Sequence, residues 1–156
     1  MNTLVIIIAI TLVIFFCWRF KKNKNAALIN VQAGKAFLEA NGQREGVNTT
    51  ASGLQIKQLV SGTGSEHPTA SSRVKVHYHG TLIDGTVFDS SVDRGEPIEF
   101  GLNHVITGWT EGLQLMVVGE KARLFIPYTL GYGTQSTGPI SGGSTLIFDV
   151  ELLEIG

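Results

Sequence analysis

Hydrophobic and polar positions follow three different rules along this chain. From Thr3 to Phe20 there is no alternation at all: TLVIIIAITLVIFFCWRF carries one charge, Arg19, close to its end. As a helix this run spans about 27 Å at 1.5 Å per residue, close to the hydrocarbon thickness of a thin bilayer. Trp18 falls where an interfacial aromatic belongs, Arg19 can snorkel to water, and Lys21, Lys22 and Lys24 follow at once. A helix with no polar face has no solvent side in so small a protein. The run also lacks the basic leader and small-residue cleavage site of a signal peptide. The pattern predicts a transmembrane anchor with a basic flank over residues 1–24, its membrane contact running through residues 3–20.

In the next stretch Leu28, Val31, Lys35 and Leu38 recur at helical spacing, and Asn41-Gly42 offers a C-cap. This predicts a weakly amphipathic helix interrupted by Gly34, serving as a spacer or a dimer contact. GQREGVNTTASG is rich in Gly, Ser and Thr and reads as linker, so residues 25–53 form a short helix and linker.

From Leu54 the period becomes two. LQIKQLV alternates, VKVHYH puts Val74, Val76 and Tyr78 on one face, ARLFI follows, and TLIFDVELL groups Leu146, Phe148, Val150 and Leu152. One short helix interrupts these half-buried strands, because Ile106, Trp109, Leu113 and Met116 share a helical face. The expected fold is α+β: a curved antiparallel β-sheet, a half-barrel wrapped over one short α-helix, in a domain covering residues 54–156 and preceded by a transmembrane helix.

Composition narrows the function. A length of 156 residues with 43% apolar content gives one domain plus an appendage. The net charge is -1, but four of the twelve basic residues sit at Arg19, Lys21, Lys22 and Lys24, leaving eight against thirteen acidic ones. A mildly acidic domain argues against nucleic acid as a partner. The single cysteine, Cys17, lies in the apolar run, so no intramolecular disulfide can form.

Nucleophilic chemistry has little to stand on, since no serine sits in a G-x-S-x-G elbow. His77 and His79 share a strand face but lack further ligands, and read as packed or surface residues rather than a metal pair. SGTG at residues 61–64 has no basic residue and no helix after it, which argues against a phosphate loop. What stands out is a set of aromatics, Tyr78, Phe88, Trp109, Tyr132 and Phe148, that the sheet-over-helix arrangement lets converge. Such residues are usually plain core. Asp89 beside Phe88 changes the reading, because a carboxylate drawn into an apolar wall needs a partner, and Arg94 is within loop reach.

The segments VHYHGTLIDGTVFDSSVDRGEPIEF, VITGWTEGLQLMVVGEKARLFIP, LGYG and TLIFDVELL resemble the FKBP-type peptidyl-prolyl cis-trans isomerases in order and spacing, over about Leu54 to Ile155. The preceding AGKAFLEANG and GVNTTASGLQIKQLVSGTG are similar to the macrophage infectivity potentiator branch, whose members carry a longer helical dimerisation arm. Here the shorter arm allows a dimer contact without requiring one. The resemblance implies a proline pocket. Phe88 packs against the ring, Asp89 is the polar group of an apolar wall, and Arg94 is tied to Asp89 and to the Tyr78 hydroxyl. Trp109 is the floor, Val105 and Ile106 form a wall whose backbone N–H receives a substrate carbonyl, Tyr132 is a hydroxyl donor, and Phe148 is the far aromatic. Two positions depart from the family pattern. Ile98 stands where phenylalanine is common, softening one wall, and Gly142-Gly143 replaces a proline pair after Ile140, which predicts a more flexible substrate-facing loop.

The implied activity is rotation of X-Pro bonds by non-covalent binding, with Asp89, Tyr132 and Ile106 closest to the chemistry and no metal, nucleotide or redox cofactor. The implied partners are proline-containing polypeptides, with macrolides such as rapamycin or tacrolimus as inhibitors. The alternative is a tethered proline-binding or chaperone module without turnover. A single-pass protein of a bacterial inner membrane is expected. Four basic residues after the span favour a cytoplasmic domain, while the family analogy favours a periplasmic one.

Overall fold

The computed structural model describes the backbone of residues 3–156 and the side chains of residues 8–156. The chain begins with one long helix, α1 (Thr3–Asn41). Seven strands follow: β1 (Val47–Thr49), β2 (Gln55–Val60), β3 (Arg73–Leu82), β4 (Val87–Ser90), β5 (Ile98–Gly101), β6 (Lys121–Ile126) and β7 (Leu146–Ile155). A single-turn helix, α2 (Ser91–Arg94), links β4 to β5, and α3 (Thr107–Leu113) lies between β5 and β6.

All the pairings are antiparallel, in the order β1-β2-β6-β7-β3-β4, and β5 pairs with the other end of β3. The expected α+β class and curved sheet are what the chain forms. Period-two patterning accounts for the long strands: on β3 Val74, Val76 and Tyr78 are buried, and on the neighbouring β7 Leu146, Phe148, Val150 and Leu152 are buried beside them on the same face of the sheet. Helix α3 lies close on β6 because its contact face is glycine. A Cβ on Gly108 would stand 2.5 Å from Ile126 Cγ2, and one on Gly112 would stand 2.8 Å from Leu124 Cδ1. Leu113 and Trp109 point into the core from the same helix.

The amino-terminal third differs from expectation. The short helix and the run before it are one continuous helix, and Gly34 does not interrupt it. Leu28 and Lys35 are exposed. The buried stripe instead runs through Ala27, Gly34 and Asn41, flanked by half-buried Asn30, Val31, Phe37 and Leu38. These residues dock on the sheet: the Phe37 and Phe125 rings are 6.0 Å apart, and a Cβ on Gly34 would collide with Thr145 Oγ1. Asn41 Nδ2 donates to Gln55 Oε1 at 2.8 Å, and Gln55 Nε2 donates to the Leu38 carbonyl at 2.8 Å. A spacer reading missed this face because its closest contacts are made by small and polar residues, which carry no hydrophobic signal. The segment read as linker holds β1, paired with β2 from Val47↔Lys57 to Thr49↔Gln55, so the sheet begins at Val47 rather than Leu54.

Asn41 is 1% exposed, and an Asn41→Leu change strands the Gln55 amide oxygen. We expect a loss of about 1–3 kcal/mol of stability, read as a lower urea midpoint at unchanged slope. An unaltered midpoint would mean that α1 is not locked to the sheet at this point.

The expected membrane span at residues 3–20 begins among side chains outside the described set. Among the described residues no helix is long and apolar enough to cross a membrane. A stretch of bilayer length that starts at Ile8 takes in Arg19, Lys21, Lys22 and Lys24.

Candidate functional site: an aromatic cleft beside an Asp-Arg-Tyr cluster

One face of the sheet opens into a cleft of about 640 Å³, its floor and sides built by Tyr78, Phe88, Phe100, Trp109 and Phe148. The strands set these positions. Gly80 of β3 lies opposite Phe148 of β7 and Asp89 of β4, so the rings of Phe88 and Phe148 come together over a position with no side chain. They meet edge to face with centroids 5.2 Å apart. Trp109 rises from α3 to meet Phe148 at 5.1 Å, Tyr78 at 5.2 Å and Phe100 at 5.3 Å. The contacts of Trp109 with Phe148 and Tyr78 are edge-on, a favoured aromatic arrangement, and that with Phe100 is tilted.

The polar edge comes from the stretch after β4. Ser90 caps α2 by accepting from Asp93 N at 3.1 Å, and Gly95 ends it at φ 69°, a left-handed conformation suited to glycine. His77 Nδ1 pairs with Ser91 Oγ and His79 Nδ1 with Ser90 Oγ, both at 2.9 Å, so the two histidines pin this turn to β3. The turn brings Arg94 back over Asp89. Arg94 Nη1 donates to Asp89 Oδ1, the Tyr78 hydroxyl donates to Asp89 Oδ2, and Arg94 Nη2 lies 3.0 Å from the Tyr78 oxygen.

Burial pushes the Asp89 carboxyl up, but the Tyr78 hydroxyl and the Arg94 guanidinium outweigh it and hold its pKa below the ordinary carboxylate range. Burial and the bond to Asp89 raise Tyr78, and the bonds to Tyr78 and Asp89 raise Arg94. A depressed folded pKa means that the stabilisation from the Asp89 charge is complete above about 3.9 and is lost as the pH falls through the lower folded value. We therefore expect ligand affinity to be flat from pH 7 to 5 and to fall only below about 4, measured by titration at constant ionic strength. A fall well above pH 5 would contradict the assignment to Asp89.

The rest of the cleft is lined by Ile98, His104, Val105, Ile106, Tyr132 and the loop from Thr137 to Ile140. Ile106 sits just before α3, and its N–H meets no acceptor among the described residues. Tyr132 is 40% exposed. The structure thus gathers Tyr78, Phe88, Asp89, Ile98, Val105, Ile106, Trp109, Tyr132, Ile140 and Phe148 around one cleft. Arg94 stands behind Asp89 rather than in the lining.

Sequence reasoning missed Phe100, His104, Thr137, Gly138 and Pro139. Phe100 was findable, being two residues from Ile98 on the same strand face. The loop expected to be flexible is tied down: Gly142 N donates to Ser136 Oγ at 3.1 Å and Gly143 N to the Gly133 carbonyl at 2.8 Å. Gly143 lies where the Ala27 carbonyl of α1 comes too close for a side chain, and Gly142 lies where the loop's own Thr134 carbonyl does.

The model of the FKBP-type peptidyl-prolyl cis-trans isomerase family matches residues 64–153, which take in every lining residue of this cleft. The chain belongs to that family. A second model, the domain amino-terminal to FKBP-type isomerases, matches residues 15–57, so α1 from Phe15 onward is family structure rather than a bare spacer. The chain is 55% identical to the FKBP-type peptidyl-prolyl cis-trans isomerase FkpA of Aeromonas hydrophila, over 83% of this chain and 48% of that protein. It is 47% identical to the outer membrane protein MIP of Legionella longbeachae, over 81% of this chain and 54% of that one. The chain therefore spans about half the length of the curated relatives it matches. The crystal structure of FkpA from Escherichia coli superposes with a TM-score of 0.87 at 42% identity, covering 95% of this chain and 71% of that one. The FKBP-type domain here thus keeps its aromatic cleft and its Asp-Arg-Tyr cluster together with a docked amino-terminal helix.

Proposed function

We propose that this FKBP-type domain accelerates cis-trans rotation of X-Pro bonds in polypeptides held close to a membrane, with the proline ring seated in the aromatic cleft. The observation that carries this reading is the pairing of apolar walls with two donors free to reach a substrate, the Ile106 N–H and the Tyr132 hydroxyl. Rotation about X-Pro faces a barrier of about 18–20 kcal/mol because the amide loses its resonance. The planar amide is charge-separated and gains most from water, so a dry cleft raises it relative to the twisted form. Donors that grip the flanking carbonyls hold the chain bent and add orientation. A thousandfold acceleration needs only about 4 kcal/mol, and no covalent step is required.

In this reading Tyr78, Phe88, Ile98, Val105, Trp109, Ile140 and Phe148 bind substrate, and Asp89 sets the polarity of the cleft edge with Arg94 holding it. An Asp89→Leu change is expected to lower kcat/KM about tenfold, the value of one charge-assisted hydrogen bond, with little loss of stability, since the pair is half exposed. Unchanged turnover per folded molecule would make Asp89 structural. Rapamycin and tacrolimus should compete with peptide for the cleft. Native folding without acceleration of any X-Pro peptide would favour a binding or chaperone module instead.

The membrane tether is supported by the exposed apolar side of α1, where Ile10, Val13, Phe16, Trp18 and Phe20 are each more than half exposed. A helix apolar all round requires cover, and the basic residues that follow it suit a bilayer surface. The excess of positive charge after the span favours a cytoplasmic domain. Protease added to intact spheroplasts tests the side: digestion from outside would overturn that orientation, and protection until lysis would support it.

A further inference from the structure

We propose that α1 is a working part of the isomerase site, with Asn30 as a positioning residue that holds the cleft loop 134–143 in its substrate-ready shape. The loop has two faces. Its inner face, Thr137 to Ile140, walls the aromatic cleft. Its outer face, Thr134 to Ser136, looks across a second hollow of about 400 Å³ at Phe20, Lys24 and Ala27 of α1. Within the loop the only strand-like pairing among the described residues is a single bridge between Thr137 and Ile140. Its internal bonds, such as Gly143 N to the Gly133 carbonyl, fold the loop on itself, so its placement over the cleft depends on what it is tied to.

The tie to α1 is specific. Asn30 Nδ2 donates to the Gly142 carbonyl at 2.9 Å, across 112 positions of sequence. The Gly142 amide in turn donates to Ser136 Oγ at 3.1 Å, and Ser136 directly precedes Thr137, whose amide donates to Ile140 O at 2.8 Å. Three hydrogen bonds therefore run from the helix to the cleft wall. The neighbouring contact leaves no slack: Gly143 has φ 77°, and a Cβ there would collide with the Ala27 carbonyl and stand 2.9 Å from Val31 Cγ2. A helix that served only as a spacer would need neither a donor aimed at this loop nor a backbone pressed against it.

The kinetic consequence rests on the isomerase reading; the structural one does not. The test uses the full chain in detergent micelles and compares Asn30→Ala and Asn30→Asp, which lack the donor, with Asn30→Gln, which keeps an amide. If the loop spends only a tenth to a third of its time in the competent shape, apparent affinity falls by about threefold to tenfold. We expect KM to rise by that factor with kcat nearly unchanged, and the Kd for a proline-containing tetrapeptide to rise in parallel. The amides of Ile140 and Gly143 should exchange about tenfold faster, while those of β3 and β7 keep their rates. Asn30→Gln should recover part of each effect. Unchanged loop exchange in Asn30→Asp would overturn the proposal, as would faster loop exchange without a change in KM or Kd. Faster exchange throughout the sheet would reduce Asn30 to a general stabilising role and overturn it too. If the wild-type chain shows no turnover, the isomerase reading fails by itself, and the exchange and Kd measurements still decide the role of Asn30.

Discussion

A Gly80→Val change is expected to lower kcat/KM by about a hundredfold, equivalent to about 2.7 kcal/mol of lost transition-state binding, while the chain stays folded. Gly80 faces both Phe88 and Phe148, and even a bare Cβ there would stand 2.7 Å from the first ring and 2.8 Å from the second. The Phe148 ring cannot retreat into the core, which Trp109 and Tyr78 already occupy, and the half-buried Phe88 ring packs against it. The open direction is the cleft itself, so the rings move into the space the proline ring needs. Overpacking costs about 1–3 kcal/mol of stability, partly offset because valine suits a strand better than glycine. Steady-state kinetics beside a thermal melt check this. A folded variant with unchanged kcat/KM would show that Phe88 and Phe148 do not bound the substrate site.

Trp109→Ala should be the most destabilising single change in the cleft. Trp109 is 5% exposed and touches the rings of Tyr78, Phe100 and Phe148, so truncation leaves a large cavity and loses about 3–5 kcal/mol. At roughly 3–5 °C per kcal/mol for a domain of this size, the melting midpoint should fall by about 10–20 °C. Loss of folding then hides the loss of the cleft floor. Trp109→Leu separates the two effects: the indole Nε1 has no hydrogen-bond partner among the described residues, so no bond is lost, and leucine fills much of the volume. Its midpoint should fall by less than half as much, with kcat/KM per folded molecule still reduced. A Trp109→Ala midpoint within about 2 °C of wild type would mean that the floor is not built by this residue.

The parts of the fold that the sequence made legible are those that announce themselves by apolar period. Val74, Val76 and Tyr78 on β3 and the alternation on β7 gave the central strands. The spacing of Ile106, Trp109, Leu113 and Met116 gave the helix beneath them, although α3 itself ends at Leu113. The parts that stayed hidden work by absence or polarity. Ala27, Gly34 and Asn41 dock α1 through closeness and a side-chain amide, so the apolar stripe pointed instead toward exposed Leu28 and Lys35. β1 is only three residues long, Val47-Asn48-Thr49, with no buried side chain, and is held by its pairing with β2. At the site, the Asp-Arg-Tyr grouping was expected from family resemblance. The space at Gly80 and the anchoring of Gly142 and Gly143 were not, because a glycine in a sequence does not say which neighbour requires it.

If the aromatic cleft lowers the barrier to X-Pro rotation, exchange spectroscopy on a proline peptide will register it. The full chain in detergent micelles is added at a few per cent of the peptide concentration, and cis-trans exchange cross-peaks are recorded at mixing times below one second. Uncatalysed rotation takes tens to hundreds of seconds, so cross-peaks at this mixing time require catalysis. They should grow with enzyme concentration, leave the cis-to-trans ratio unchanged, and vanish when tacrolimus fills the cleft. Their absence with a natively folded chain, or their persistence with the cleft blocked, would contradict catalysis by the cleft.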